Sequence, residues 1–145
     1  MSLVLALALF ANPFAPQEAA MTPEQPSVST EASAAASLEA ARSFVRAVDA
    51  GEYEDSWDMA GTLFQSQVTA QQWADTVRPV RAQVGAVRSR SFAKVTATKE
   101  LPGTPVGDYE VIEFKSDFEM RPGAVETVVL AKENGAWKAV GYFIR

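Results

Sequence analysis

The sequence contains no cysteine and no histidine. Without cysteine the chain can form no disulfide, no thiolate metal site, no thiol nucleophile and no acylated lipoprotein cysteine. Without histidine it can use neither an imidazole metal ligand nor a histidine base. The acidic residues between 49 and 58 lack the spacing and the central glycine of a calcium loop. The sequence therefore predicts no metal site, no cofactor and no catalytic residue set, and any catalysis would have to use Asp, Glu, Tyr, Lys, Arg, Ser or Thr.

Positive charge is scarce in the first half of the chain, where the first basic residue is Arg42 and acidic residues predominate. The net charge is −5 and the pI is about 4.8. A polyanion such as duplex nucleic acid would be repelled at long range, so nucleic-acid binding is not expected. A chain of 145 residues with 48% hydrophobic content is long enough for one core, which predicts a single domain.

No apolar run reaches the ~20 residues that a membrane-spanning helix needs, so no transmembrane span is expected. Residues 3–11 form an apolar run with the length of a signal-peptide core. We interpret residues 1–20 as a signal peptide or apolar leader of an exported protein; a misassigned start or an arm that docks on the domain are the alternatives. Residues 21–36 contain prolines and polar residues with little to bury, which predicts a disordered tether before a domain at 37–145.

Three helices are predicted after the tether. The first is capped by Ser37 and ends at Gly51, and a short second helix begins near Glu52 and ends at Gly61. Thr69 and Gln72 have the spacing of a capping box and begin the third helix, which runs to Gly85. Pro79 should kink this third helix.

After Gly85 the apolar period changes to two, which predicts four strands near residues 87–99, 109–118, 125–132 and 137–144. Residues 121–123 are predicted as a turn, and Asn134-Gly135 is a strong hairpin signal because both residues tolerate positive φ. Short connections predict an antiparallel meander. The fold class is therefore α+β, with N-terminal helices packed on a four-stranded antiparallel sheet.

Three segments, at residues 48–57, 85–90 and 135–143, resemble the bacterial domain-of-unknown-function 4019 family. The order of elements is also similar to the cystatin-like and nuclear-transport-factor-2-like cone folds, in which helices pack into a curved antiparallel sheet. The resemblance covers about residues 37–145. It implies a small, mostly exported or envelope-associated bacterial protein, but no activity, because cone folds include enzymes, ligand binders and dimerisation modules.

Arg88 and Arg90 are the sharpest candidate site, because side chains two apart on a regular strand leave the same face about 7 Å apart. Such a pair could bind one carboxylate or phosphate of a small anionic ligand. The alternative, which we favour, is that they pair across the sheet with an acidic residue. The acidic residues available are Glu113, Asp117 and Glu126.

Five aromatic residues could either line a pocket between helices and sheet or form the core. Trp57 and Trp73 lie at helical spacings that a core already explains, so Tyr109 and Tyr142 remain the candidate pocket residues. Strand four carries apolar residues on both faces, which allows a homodimer through the sheet.

The sequence therefore predicts a non-catalytic binding or interaction module of the bacterial envelope, with a partner protein or a small anionic ligand as its target. The alternative is a small enzyme of the isomerase or dehydratase type. It would use Glu113 or Asp117 as a base that faces the interior and Tyr109 or Tyr142 as an acid.

The leader hypothesis predicts where the mature chain begins. N-terminal sequencing of protein from a native-like host should start between Asn12 and Met21, because the apolar run would be removed on export. Intact cytoplasmic protein that starts at Met1 would contradict export.

Overall fold

Helices occupy the first part of the described chain and strands the second, as the change of hydrophobic period at Gly85 predicts. The computed structural model describes residues 28–145, and their side chains from Glu31 onward. The predicted leader at 1–20 and the first part of the tether lie outside the described residues. Within the described part, no helix is both long and apolar enough to cross a membrane. The elements are α1 Val28–Asp49, α2 Tyr53–Asp58, α3 Thr62–Gln67, α4 Ala70–Val84, β1 Val87–Thr98, β2 Tyr109–Phe118, β3 Arg121–Glu133 and β4 Ala136–Ile144.

The predicted α+β class is confirmed: the helices pack on one face of a single antiparallel sheet with strand order β1-β2-β3-β4. The core lies between this face and the helices. Even-numbered residues of β2 and β3 point into it, among them Ile112, Phe114 and Val128, which are fully buried. Phe44 of α1 and Trp73 of α4 pack on Tyr142 of β4 from the helix side.

Local signals placed several boundaries correctly. Thr69 and Gln72 form the predicted capping box at the start of α4, and Pro79 lies inside that helix. Gly85 follows α4 with φ 75°. Asn134 and Gly135 both have positive φ, 48° and 80°, as the hairpin between β3 and β4 requires.

The first helix begins at Val28 rather than at Ser37, so the prediction that Ser37 caps it is wrong. Residues 28–36, expected in the tether, are helical because several alanines follow the last proline and alanine has the highest helix propensity. Ser37 is instead fully buried in the middle of α1. There its hydroxyl contacts the carboxylate of Glu110 on β2.

Two further boundaries differ from the sequence prediction. Gly61 does not end α2 but caps the start of α3, a six-residue helix that the sequence analysis missed. Its N-terminus is held by Glu133, whose carboxylate accepts hydrogen bonds from the backbone and hydroxyl of Thr62. Residues 121–123 are part of β3 rather than a turn, and Gly123, with φ 67°, lies near a register shift between β2 and β3.

Candidate functional site

The most prominent group of polar side chains is a buried charge cluster between the helices and the sheet. Two acidic and two basic side chains meet there, joined by a serine and a tyrosine. Every long element of the described chain contributes one residue: α1, α4 and each of the four strands. The charge cluster consists of Asp49, Arg81, Arg90, Ser116, Glu126 and Tyr142.

Glu126 lies at the centre and is 0% exposed. One carboxylate oxygen accepts hydrogen bonds from Arg90 Nε at 2.6 Å and Ser116 Oγ at 3.1 Å. The other accepts from the Tyr142 hydroxyl and from Arg81 Nη1 at 3.4 Å. Because a carboxylate offers about four acceptor positions, Glu126 is fully satisfied.

Asp49, the last residue of α1, closes the charge cluster from the helix side. Arg90 donates to both of its oxygens, from Nη1 at 2.7 Å and from Nη2 at 2.9 Å. Arg81 donates to one of them from Nη2 at 2.7 Å. The guanidinium of Arg81 also lies 4.9 Å from the ring centre of Phe118, a cation–π contact. Two positive and two negative charges therefore balance inside the protein.

The electrostatics favour the protonated forms of Tyr142, Arg90 and Arg81. Burial and the adjacent Glu126 carboxylate hold the pKa of Tyr142 well above its usual value, so the hydroxyl keeps its proton and donates it. Burial opposes the charge of Arg90, but Asp49 and Glu126 outweigh it, and its pKa is raised. The pKa of Arg81 is raised in the same way, by Tyr142, Asp49 and Glu126 against the effect of burial. Both arginines remain charged.

Arg88 and Arg90 are not brought together. A one-residue bulge between Val87 and Ser89 interrupts the alternation of β1, so Arg88 is exposed while Arg90 turns into the charge cluster. For Arg90, the preferred hypothesis of pairing with an acidic residue across the sheet is confirmed, and the partner on the sheet is Glu126.

The two candidate pocket tyrosines also lie apart. Tyr142 is buried in the charge cluster. Tyr109 lies at the opposite end of the sheet, as an odd-numbered residue of β2 on the face away from the helices, where its hydroxyl donates to the carbonyl of Pro105 at 2.6 Å. The two tyrosines therefore do not share one pocket.

The two carboxylates that the enzyme hypothesis proposed as bases do not face the interior. Glu113 and Asp117 are odd-numbered residues of β2, on the face opposite the helices. Glu113 accepts a hydrogen bond from Arg145 at 2.7 Å, and Asp117 accepts from the backbone of Gly123 and from Ser89. The hypothesis that one of them faces the interior as a base is therefore wrong.

Sequence reasoning missed Asp49, Arg81 and Ser116 as members of the charge cluster. A signal for Arg81 was present, because it lies four residues after Val77 and one turn before Gly85, on the apolar stripe of α4. A charged residue on such a stripe indicates a buried ion pair. Glu126 carries the same signal, since it lies between Ala124 and Val128 on the inner face of β3. The acidic residues of the described chain do not form a cluster suited to a metal ion.

These features define an α+β domain whose helices and sheet are joined by a buried, charge-balanced side-chain network. Residues 40–142 match the model of the DUF4019 family, described as a protein of unknown function, and the chain belongs to that family. A search of curated proteins found no match.

The charge cluster predicts that neighbouring arginines on β1 differ sharply in their effect on stability. Arg90→Gln should lower the free energy of unfolding by about 3–5 kcal/mol, because it leaves the fully buried Glu126 and the partly buried Asp49 with one guanidinium. Arg88→Gln, the matched control two residues away, should change it by less than about 0.5 kcal/mol. Chemical denaturation measures both. Adding Asp49→Asn to Arg90→Gln should restore part of the lost stability. If Arg90→Gln and Arg88→Gln lowered the free energy of unfolding equally, the assignment of Arg90 to the charge cluster would be contradicted.

The raised pKa of Tyr142 predicts a loss of stability in alkali. The unfolded chain releases the tyrosine proton near pH 10, whereas the folded chain retains it, so stability falls as the pH rises above about 10. Tyr142→Phe has no proton to release and should show a shallower decline. Denaturation midpoints of both proteins between pH 8 and pH 11 measure the difference. Parallel curves would show that Tyr142 ionises normally in the folded state.

Proposed function

We propose that this protein is a non-catalytic interaction module whose edge strand β1 binds an extended, acidic segment of another protein. The observation that carries the proposal is that β1 is long and pairs on one side only. In strand addition, main-chain hydrogen bonds supply affinity and alternate side chains supply specificity. Such binding needs an edge strand with free backbone groups, and the two edges of this sheet differ in how far they are covered.

The edge formed by β4 is partly covered. The backbone N–H of Gly61 donates to the carbonyl of Ala139 at 2.7 Å, and α3 packs against β4. The edge formed by β1 is open: within residues 28–145, the backbone of β1 pairs with β2 alone. Its twelve residues span about 40 Å at about 3.3 Å a residue, enough for a long added strand.

The inner face of β1 is apolar and uncovered. Phe92 and Val95 pair with Phe114 and Ile112 of β2, which are fully buried, yet they are themselves 44% and 41% exposed. The difference arises because α1 packs over β2, β3 and β4 and leaves β1 beyond its edge. A groove of about 210 Å³ follows this boundary between α1 and β1. A strand added to β1 would cover both side chains and remove apolar surface from water.

The charge of this edge selects an acidic partner. Three exposed cations, Arg42 beside the groove and Arg88 and Lys94 on β1, form no salt bridge with the part of the chain that the structure describes. β1 contains no acidic residue. Pairing β1 with a second copy would place like charges against each other, and lysine on an edge strand is a known protection against such pairing. An acidic segment would meet opposite charges instead.

The positions of three carboxylates, Glu113, Asp117 and Glu126, argue against their use as the general base of the alternative enzyme. A general base needs a carboxylate that faces a substrate cavity. Glu126 faces inward but has its acceptor positions filled, whereas Glu113 and Asp117 lie on the outer face. Binding of a small anion at Arg90 is disfavoured for the same reason, because Nε and both Nη atoms already donate to carboxylates.

Two finer features belong to the same proposal. The bulges of β1 and the register shift beside β4 at Val129 and Leu130 support a sheet curved like those of the cone folds, since a bulge bends its strand. The apolar run at residues 3–11 supports export to the bacterial envelope, where the module would meet its partner.

A displayed library of random ten-residue segments tests the proposal without knowledge of the partner. Segments that bind the full chain should be enriched in Asp and Glu alternating with β-branched residues. The double variant Arg88→Glu, Lys94→Glu should weaken them about tenfold, because repulsion replaces attraction. Lys138→Glu on β4 is the matched control and should leave their affinity unchanged.

Three outcomes would contradict strand addition at β1. One is a library without enriched segments, and another is enriched segments that bind the double variant as well as the wild type. The third is a stable homodimer in light scattering whose formation blocks the segments, because β1 would then serve self-association. Unfolding midpoints of the variants confirm that the exposed substitutions leave the fold intact.

A further inference from the structure

A second buried carboxylate lies far from the charge cluster, beneath an open cleft. The cleft has a volume of about 460 Å³ and lies where α1 passes over the ends of β1 and β2. Its walls include Ser33, Lys99, Tyr109, Glu110, Lys132 and Trp137. The volume lies within the range of about 300–1,000 Å³ typical of small-molecule sites.

Glu110 is 8% exposed, and no Lys or Arg among the described residues lies within salt-bridge distance of it. Its described hydrogen-bond partner is the hydroxyl of Ser37. That hydroxyl also lies 3.0 Å from the carbonyl of Ala34, but it has one proton and can donate to only one of the two acceptors. Glu126, by contrast, accepts four donors, two of them cationic.

A buried carboxylate without a cation is costly, so Glu110 favours any positive group that can reach it. The two cations that line the cleft, Lys99 and Lys132, form no salt bridge with Glu110. Lys99 pairs with Asp108, and that contact holds the pKa of Asp108 below its usual value. Lys132 lies 5.7 Å from the ring centre of Trp137. Neither cation neutralises Glu110, and the cleft leads from solvent to it.

The remaining walls suit an organic cation. Trp137 supplies apolar aromatic surface in the wall of the cleft. Aromatic faces attract cations, and an ammonium forms charge-assisted hydrogen bonds to a carboxylate, which are stronger than neutral ones. An inorganic metal ion is less suited, because it would need several oxygen ligands and Glu110 provides the one buried carboxylate of the cleft.

We propose that this cleft binds the primary ammonium group of a compact organic ligand, with Glu110 as its counter-ion and Trp137 as its aromatic wall. The ammonium could belong to a simple amine or to an amino acid. In an amino acid the ligand's carboxylate would meet Lys132. The cleft meets β1 at Ala97 and Thr98, near the end of that strand. Strand addition is argued from the part between Arg88 and Val95, so the two proposals rest on different residues.

Three probes of similar shape separate the charge requirements: phenethylammonium, phenylalanine and 3-phenylpropionate. Titration calorimetry on the full chain should detect the cation, and a comparison with phenylalanine shows whether a carboxylate adds affinity through Lys132. The anion should bind at least tenfold more weakly than phenethylammonium, because it would be repelled by Glu110. Equal binding of the anion, or no binding of either ammonium probe, would overturn the proposal.

The three tryptophans provide a readout that needs no substitution. The indole N–H groups of Trp57 and Trp73 donate to Val68 and Ser56, outside the cleft, whereas Trp137 borders it. In ¹⁵N NMR spectra, phenethylammonium should shift the Trp137 indole signal and leave the other two in place. A shift of the Trp57 or Trp73 signal without one from Trp137 would place binding elsewhere and overturn the assignment.

Glu110→Gln tests the counter-ion directly and should reduce the affinity for phenethylammonium at least tenfold, since it removes the charge at nearly constant shape. Glu113→Gln is the matched control, on the same strand but on the outer face. Retained affinity in Glu110→Gln would contradict the proposal. If that variant does not fold, the Trp137 shift and the charge dependence of the three probes still decide the question.

Discussion

The salt-bridged carboxylate of Glu126 is the constraint on which the rest of the architecture depends. Its charge is buried completely, and such a charge is tolerated only when donors surround it. Those donors come from α4, β1, β2 and β4, and Asp49 adds the end of α1. Helices and sheet must therefore meet in one arrangement, because any other leaves at least one charge unpaired inside the protein. Apolar packing alone would tolerate small shifts of α1 or α4 over the sheet.

The charge cluster also determines strand register. Side chains alternate along a strand, so a slip of β3 by one residue would carry Glu126 to the outer face and bring Val125 or Thr127 inward. Four donors would then lose their acceptor. The first bulge of β1 has a similar effect, because it turns Arg90 inward to Asp49 and Glu126 while Arg88 faces solvent. Ionic groups of this kind are expected to contribute specificity rather than net stability.

Local sequence signals accounted for elements whose cause is local, and they missed features that depend on contacts across the fold. Thr69-Gln72 and Asn134-Gly135 act within four residues, and the structure shows both as predicted. Ser37 looked like a helix cap because a buried serine and a capping serine have the same local sequence, and its partner Glu110 is 73 residues away. The bulge at Arg88 has no local marker such as glycine, so a regular strand placed both arginines on one face. The fold class was therefore predictable, whereas the charge cluster was recognisable only in parts: Arg90 and Glu126 as a pair, without Asp49, Arg81 and Ser116.

The charge cluster and the open edge of β1 are linked through Arg90. An edge strand that no helix covers loses apolar packing and should fray more readily than a central strand. Arg90 joins β1 to α1 through Asp49 and to β3 through Glu126. These salt bridges hold β1 in place two residues before Phe92, which is 44% exposed. A strand held rigid in this way offers its outward backbone groups in a fixed geometry, and a partner that pairs with it loses less conformational freedom on binding. Under the proposed strand addition, charges inside the domain would thus make an exposed edge available for recognition, while the cations on that edge would oppose pairing with itself.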